Sequence, residues 1–329
     1  MVCGRLLHPH TPLIIDKIVG SIIMVKLEKR LGGRRAARRI LIDWACILPQ
    51  LILFVGLTIL PFISGLPLVF TDRLSFTDQD VEYVGFDNFA KVFTEPGIRD
   101  EFFPALVRTA RFTLLNYAMV YIFGLSLALL MYEVGFRGGF FTVIYLPMML
   151  SGLAIGFIAS MLFSRSTGTL NLLLLDLGLI QKPFDMKAAS GIAYILPLLT
   201  GWRYAGFNMA IFLAGLLTIP TETIEAAIVD GASYWQRLVR IYFPQMAGSF
   251  IIATLFCLLG SFNIFDELVS LGALYGNQEA QFLSIVFFRY GFLRGRLAVG
   301  LTMALQLGIP LFIVGMLLQR LQRRFQYET

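Results

Sequence analysis

Arg203 stands inside a long apolar run, between Trp202 and Tyr204 and shortly before Asn208. An arginine near a bilayer centre costs roughly 2.5–3.5 kcal/mol on insertion scales, so such a residue normally faces a bundle interior or a water-filled path. A guanidinium grips carboxylate or phosphate in two-pronged geometry. The chemistry this implies is non-covalent recognition of a polar solute, with an anionic one favoured. Asn208 fits either that path or a hydrogen bond to a neighbouring helix. A second polar group, Ser261, Asn263, Asp266 and Glu267, lies in another apolar run. Asp266 and Glu267 come about 20 residues into that run at ~1.5 Å per residue, so an alternative places them in the outer interface, touching only water.

Other chemistries find little support. The only histidines, His8 and His10, sit near the N-terminus, which excludes a histidine-based metal or catalytic site within a membrane. Cys3, Cys46 and Cys257 are too far apart in sequence for a disulfide framework or a metal knuckle. Two of them lie in apolar runs and are expected to be buried fillers. There is no GxxxxGK[ST] phosphate loop, so the chain is not expected to bind ATP itself. A membrane enzyme would need ionisable groups clustered at one depth, and none are evident beyond Arg203 and the Asp266–Glu267 pair.

The elements that must position these residues are membrane spans. The chain has 329 residues, of which 57% are hydrophobic and 15% charged. Soluble domains usually carry about 25% charged residues. With about 20 apolar residues needed per helical crossing, six spans are expected: Trp44–Phe70, Val107–Met131, Phe140–Phe163, Ala189–Ile219, Ala247–Leu271 and Ala298–Leu318. The fold class is therefore all-α, a polytopic membrane bundle of six transmembrane helices. Pro197 and Gly201 are expected to bend the long fourth span.

The net charge of +6 belongs to orientation, not to nucleic acid. Basic runs before the first span (Lys26 to Arg39) and after the last (Arg320, Arg323, Arg324) place both termini in the cytoplasm. Residues 71–106, rich in Asp and Glu, fall outside. Arg289, Arg294 and Arg296 disagree, being basic residues in an external loop. Residues 1–40 are expected to form a basic cytoplasmic segment, in which Leu13–Val25 is too short to span and suits an interfacial helix. The domain proper is expected over residues 41–325.

The loop Pro220–Pro244 lies on the cytoplasmic side. Thr221 is placed to cap a helix that carries Glu222 and Glu225 in its first turn. Ile224, Ala227 and Ile228 make one apolar stripe. Asp230-Gly231 breaks the helix, because glycine takes the left-handed conformation such a break needs. A second short helix follows, with Tyr234, Leu238, Ile241 and Tyr242 on one face, and Pro244 ends it. A DNA-reading helix–turn–helix is excluded by the scarcity of basic residues and the short tethers to the bilayer.

Glu225-Ala226-Ala227, Asp230-Gly231-Ala232, Ile241 and Pro244 together resemble the EAA loop of permease subunits in binding-protein-dependent ABC importers. Tyr83–Phe89, Thr109–Leu129, Trp202 through Pro220 and Ser261–Asp266 resemble the carbohydrate-uptake class, of the maltose-permease type without its large external domain. Leu271–Asn277 departs from the pattern usual after the fifth span. The resemblance implies that the helix pair at Pro220–Pro244 is a cytoplasmic coupling element, with Glu225, Ala226, Ala227, Asp230 and Gly231 docking on an ATPase. It further implies a second homologous permease subunit, two ATPase subunits that bind the ATP and Mg, and an external solute-binding protein. Arg203, Tyr204, Phe207, Asn208, Ser261, Asn263, Ile264 and Asp266 become candidates for the path of an oligosaccharide. Aromatic faces suit a pyranose ring, and amides suit its hydroxyls. Arg203 points to an acidic cargo such as an oligouronate, or to a sugar phosphate, while a neutral oligosaccharide stays open. A secondary transporter is the main rival; it would be expected to show repeated, interrupted spans.

Overall fold

The computed structural model describes residues 42, 44–75, 77–78, 81–134 and 138–327, with side chains to 322. The basic segment 1–40, with its histidines, Cys3 and the Leu13–Val25 stretch, lies outside the described residues, as does the Arg323–Arg324 side-chain pair. The chain divides into two units, Met1–Pro67 and Leu68–Thr329.

Four helices among the described residues are long and apolar enough to cross a membrane, or six if each of two bent pairs is one span. The first unit contributes most of α1 (Trp44–Phe70), whose apolar window has no buried residue. Cys46 is exposed on it, contrary to the expected buried filler, whereas Cys257 is buried.

The second unit begins with α2 (Asp87–Thr94) and α3 (Pro96–Val134). The latter starts well before the expected Val107 and contains a π-helical stretch at Val120–Leu125. The third expected span is a bent pair. Helix α4 (Gly138–Met149) and α5 (Gly152–Leu162) meet at 91°. Pro147 sits in a tight 3₁₀ turn that ends α4. Ser151 then caps α5, its hydroxyl accepting from Ala154 N at 3.2 Å. After the short α6 (Thr169–Asp176), the fourth expected span is interrupted too. Pro197 and Gly201 lie inside α7 (Leu196–Arg203) without ending it. The break comes at Tyr204, and α8 (Ala205–Leu216) resumes.

Helix α9 (Thr221–Val229) and a second helical segment, residues 234–245, form the expected helix pair. Pro244 does not end that segment. It lies in the first turn of Phe243–Gln245, where a missing N–H is tolerated. Helix α10 (Ala247–Phe262) follows, then a break, α11 (Asp266–Ser270), α12 (Leu283–Phe288) and α13 (Leu297–Tyr327). Three buried apolar clusters hold these helices together. One contains Met209, Phe212, Leu216, Leu238 and Tyr242; another Phe112, Leu196, Leu268 and Phe282; the third Ile98, Phe102, Leu283, Tyr290 and Met303.

The anomalous basic residues at one end are explained by pairing. Arg294 and Arg296 lie 2.6 Å from Glu101 and Glu95, and Arg289 lies 3.6 Å from Glu101. Burial would lower the pKa of Arg294, but the Glu101 carboxylate more than offsets it and the net shift is upward. These arginines therefore belong with the acidic segment 71–106 and carry no independent signal about sidedness.

Candidate functional site

Two regions collect the predicted residues. The first is a cavity of about 490 Å³ where three interrupted helices meet. Each interruption supplies a polar group. At the α4–α5 bend, Leu150 is extended (φ −74°, ψ 139°), so its carbonyl leaves the helical ladder. At the end of α7, Arg203 occupies the last turn, where a cation complements the helix dipole. At the start of α11, Glu267 faces it.

Arg203 Nη1 donates to Glu267 Oε1 at 2.5 Å, and Nη2 donates to the Leu150 carbonyl at 2.6 Å. Both ionic side chains are nearly enclosed, with relative exposures of 10% and 8%. One guanidinium thus ties all three breaks together. The alternative in which Asp266 and Glu267 touch only water fails for Glu267, which is buried and paired, while Asp266 remains exposed. The approach of α11 to α5 depends on two glycines. A Cβ on Gly152 would lie 2.7 Å from Asp266 Cβ, and one on Gly156 would overlap Ser270 Oγ.

The cavity wall contains Arg203, Tyr204, Phe207, Asn208, Asn263, Ile264 and Asp266, seven of the eight residues named from sequence as candidates for the path. The Arg203 guanidinium stacks 5.0 Å from the Tyr204 ring centre. Phe207 meets Phe256 edge to face at 5.3 Å. Asn208 donates to its own helix at the Tyr204 carbonyl, 3.0 Å away, not to a neighbouring helix. Asn263 likewise donates to the Leu259 carbonyl at 3.0 Å, leaving its amide oxygen free to accept.

Ser261 departs from expectation. It is buried behind the wall and is not among the lining residues. Its hydroxyl instead accepts from Asn116 Nδ2 at 3.1 Å. Asn116 was not singled out from sequence, yet it lines the cavity, is 6% exposed, and has a buried amide oxygen with no partner. The signal that could have found it is an amide in the middle of an apolar span, a placement that by default suggests function.

The second region is the helix pair. Pro220, not Thr221, occupies the position before the first turn of α9, and no side chain caps that end. The other end matches the expected turn closely. Gly231 has φ +77°. Its N–H donates to the Ile228 carbonyl at 3.0 Å, and Ala232 N–H donates to Ala227 at 2.9 Å. This is a Schellman closure, which requires the left-handed residue glycine supplies. Ser233 and Gln236 then start the next helix with a reciprocal capping box.

Ile224 packs on the cluster containing Leu238, Tyr242 and Leu216. Burial, reinforced by the Glu133 charge, pushes the Tyr234 and Tyr242 phenols above their ordinary pKa. Glu225, Ala226, Val229, Asp230 and Trp235 are exposed, Val229 at 86% and Trp235 at 71%, and so is Ile228, the outer member of the stripe that begins at Ile224. Glu225 and Asp230 have no ion-pair partner among the described residues.

A bundle of interrupted apolar helices around a half-open, largely apolar cavity with polar groups in its wall is the architecture of a multi-pass membrane protein. Residues 120–327 match the binding-protein-dependent transport system inner membrane component family, and the chain belongs to it. It is 28% identical over 287 residues to the probable starch degradation products transport system permease protein AmyD of Thermoanaerobacterium thermosulfurigenes, covering 87% of this chain and 95% of that one. It is 29% identical over 242 residues to the trehalose transport system permease protein SugA of Mycobacterium tuberculosis, covering 73% and 75%. Its fold is similar to a chain of a bacterial ABC transporter involved in the import of the acidic polysaccharide alginate. There the TM-score is 0.72 at 22% identity, covering 89% of this chain and 99% of that one.

Proposed function

We propose that this chain is the permease subunit of an ATP-driven importer and forms the translocation path for an oligosaccharide. The observation that carries the reading is the combination of a half-open, amide- and aromatic-lined cavity with an exposed foot at α9. The relatives named for starch products and trehalose support a sugar as cargo. Glu225, Ala226, Ala227, Asp230 and Gly231 form the foot that docks on an ATPase subunit, which binds the ATP and Mg; this chain needs no cofactor of its own. The assembly also contains a second homologous permease, a second ATPase and an external binding protein that delivers the saccharide. Both termini, including the basic segment 1–40, are cytoplasmic, and the transmembrane domain spans residues 41–325 in the inner membrane.

ATPase closure would move the foot as a rigid body and rock the helices around the cavity. The cavity's access then shifts between sides by differential stabilisation of two states. A secondary transporter would leave the exposed face of the foot without a partner. An acidic oligouronate or a sugar phosphate, glycerol phosphate included, would be favoured by a free Arg203. Its pairing with Glu267 withdraws that support, and the cargo we infer is a neutral oligosaccharide.

The test is uptake into vesicles carrying the full complex. We expect ATP-dependent accumulation of neutral oligosaccharide, lost when residues 221–231 are deleted while the deleted chain still inserts in the membrane. Accumulation that persists without any ATPase subunit would overturn the reading.

A further inference from the structure

We propose that Glu267 is the specificity-determining residue of the cavity: by holding Arg203 it silences the guanidinium, leaves Asp266 as the uncompensated charge, and so excludes anionic saccharides. The inference rests on the reading of this cavity as the path of a neutral solute and deepens it by assigning the exclusion of anions to one residue. Three charged residues line the cavity, Arg203, Asp266 and Glu267. Arg203 and Glu267 cancel at 2.5 Å, with the remaining guanidinium nitrogen Nη2 committed to the Leu150 carbonyl. The third nitrogen, Nε, is buried and out of reach of solvent, without a hydrogen-bond partner. Asp266 is exposed and has no ion-pair partner among the described residues.

The cavity therefore carries a net charge of one negative unit, summed over one cation and two carboxylates. What remains to bind a solute is neutral. Asn263 presents an amide oxygen not committed to a protein donor, and it accepts; the Asn116 amide oxygen likewise has no donor but is buried in the wall. Sugar hydroxyls and ammonium groups donate to such oxygens, whereas carboxylates cannot. An amide acceptor beside an unpaired carboxylate selects neutral sugars or amino sugars and repels uronates. The same wall with Glu267 neutralised would carry no net charge, because Arg203, released from its partner, would balance Asp266; only with both carboxylates neutralised would it select anions.

The charge of the cavity can be read without knowing the cargo. In the full-length chain, in native membranes, Cys3, Cys46 and Cys257 are replaced by serine and Asn263 by cysteine. The cavity thiol is reacted with the anionic sulfonatoethyl and the cationic trimethylammonioethyl methanethiosulfonates, each rate normalised to that with free 2-mercaptoethanol. One net negative charge a few ångströms away, screened nearly as in water, is expected to favour the cationic reagent by about tenfold. Glu267→Gln should bring the normalised ratio near one, and Glu267→Gln with Asp266→Asn should reverse it. Arg203→Gln with Glu267→Gln removes the pair without leaving a buried charge and should keep the starting preference. An anionic preference in the starting background, or a ratio unmoved by Glu267→Gln while the double amide variant labels normally, would overturn the proposal. The labelling needs neither ATP nor a partner. A failed uptake experiment with an intact labelling pattern would sink the importer reading alone.

Discussion

The cavity and the foot are built from similar residues, carboxylates, amides and aromatics, but they close their interactions differently. In the cavity every full charge but Asp266 is matched within the chain, and the matching runs across helices far apart in sequence. On the foot the backbone is closed locally by Schellman and capping-box bonds, while the outward side chains are left unmatched. A region satisfied internally can pass between states without a lasting partner. A region rigid in backbone but unsatisfied at its surface is a handle. The difference teaches that the same chain uses long-range pairing where a solute passes and short-range pairing where force is applied.

The comparison is sharpened most by breaking the pair. Glu267→Ala leaves Arg203 enclosed and uncompensated, and removal of one partner of a buried ion pair costs about 3–5 kcal/mol. We expect a large fall in the thermal midpoint of the detergent-purified protein. Replacing both Arg203 and Glu267 by well-packed apolar residues should recover much of it, since the desolvation cost vanishes with the charges. Equal damage from single and double variants would mean that shape, not charge, holds the three breaks. The next effect is at the glycine seat. Gly156→Ala forces a methyl group against Ser270 Oγ, and overpacking of this kind costs about 1–3 kcal/mol. Ser270 donates to the Glu267 carbonyl at 2.6 Å, so the displacement is transmitted to α11. Ser270→Gly in the same chain should relieve it, as read by the same midpoint.

Legibility from sequence follows the same division. The foot was readable because its determinants lie within a few residues: Gly231 for a positive φ, Ile224 for the inward face. Its errors, Thr221 as the cap and Pro244 as the end, are choices between adjacent positions. Four of the expected spans were readable in approximate place, and the two bent pairs allow up to six, but the interruptions were not readable. Pro197 suggested an irregularity, and the helix changes there from a π-helical stretch at Gly191–Ile195 to α7, but the full break falls at Tyr204. The partner of Arg203 was not readable at all, because Glu267 is 64 positions away and nothing local distinguishes it from Asp266. Asn116 was legible as an amide within an apolar span, but its partner Ser261, 145 positions away, was not, and Ser261 itself was taken for the wall it stands behind.

Smaller effects probe the foot. Ser233→Ala removes one half of the capping box, a loss of about 0.5–2 kcal/mol, visible as faster amide hydrogen exchange over residues 234–237 with α9 unaffected. Arg294→Ala removes a partly exposed pair with Glu101, and exposed pairs are worth about 0–1 kcal/mol, so the thermal midpoint should barely move.

Trp235→Ala gives the sharpest contrast. The ring is 71% exposed and touches Tyr234 edge to face at 6.2 Å. Surface substitutions without buried partners usually stay within about 0.5 kcal/mol, so the isolated chain should unfold as before. If the exposed face of the foot is a handle, the same change should reduce recovery of the ATPase on affinity purification and uncouple its hydrolysis from transport, because large aromatics anchor protein contacts. An unchanged midpoint with lost ATPase separates gripping from folding. An unchanged complex would move the contact off this face, and the handle would then have to be sought on α9 alone, at Ile228 and Val229.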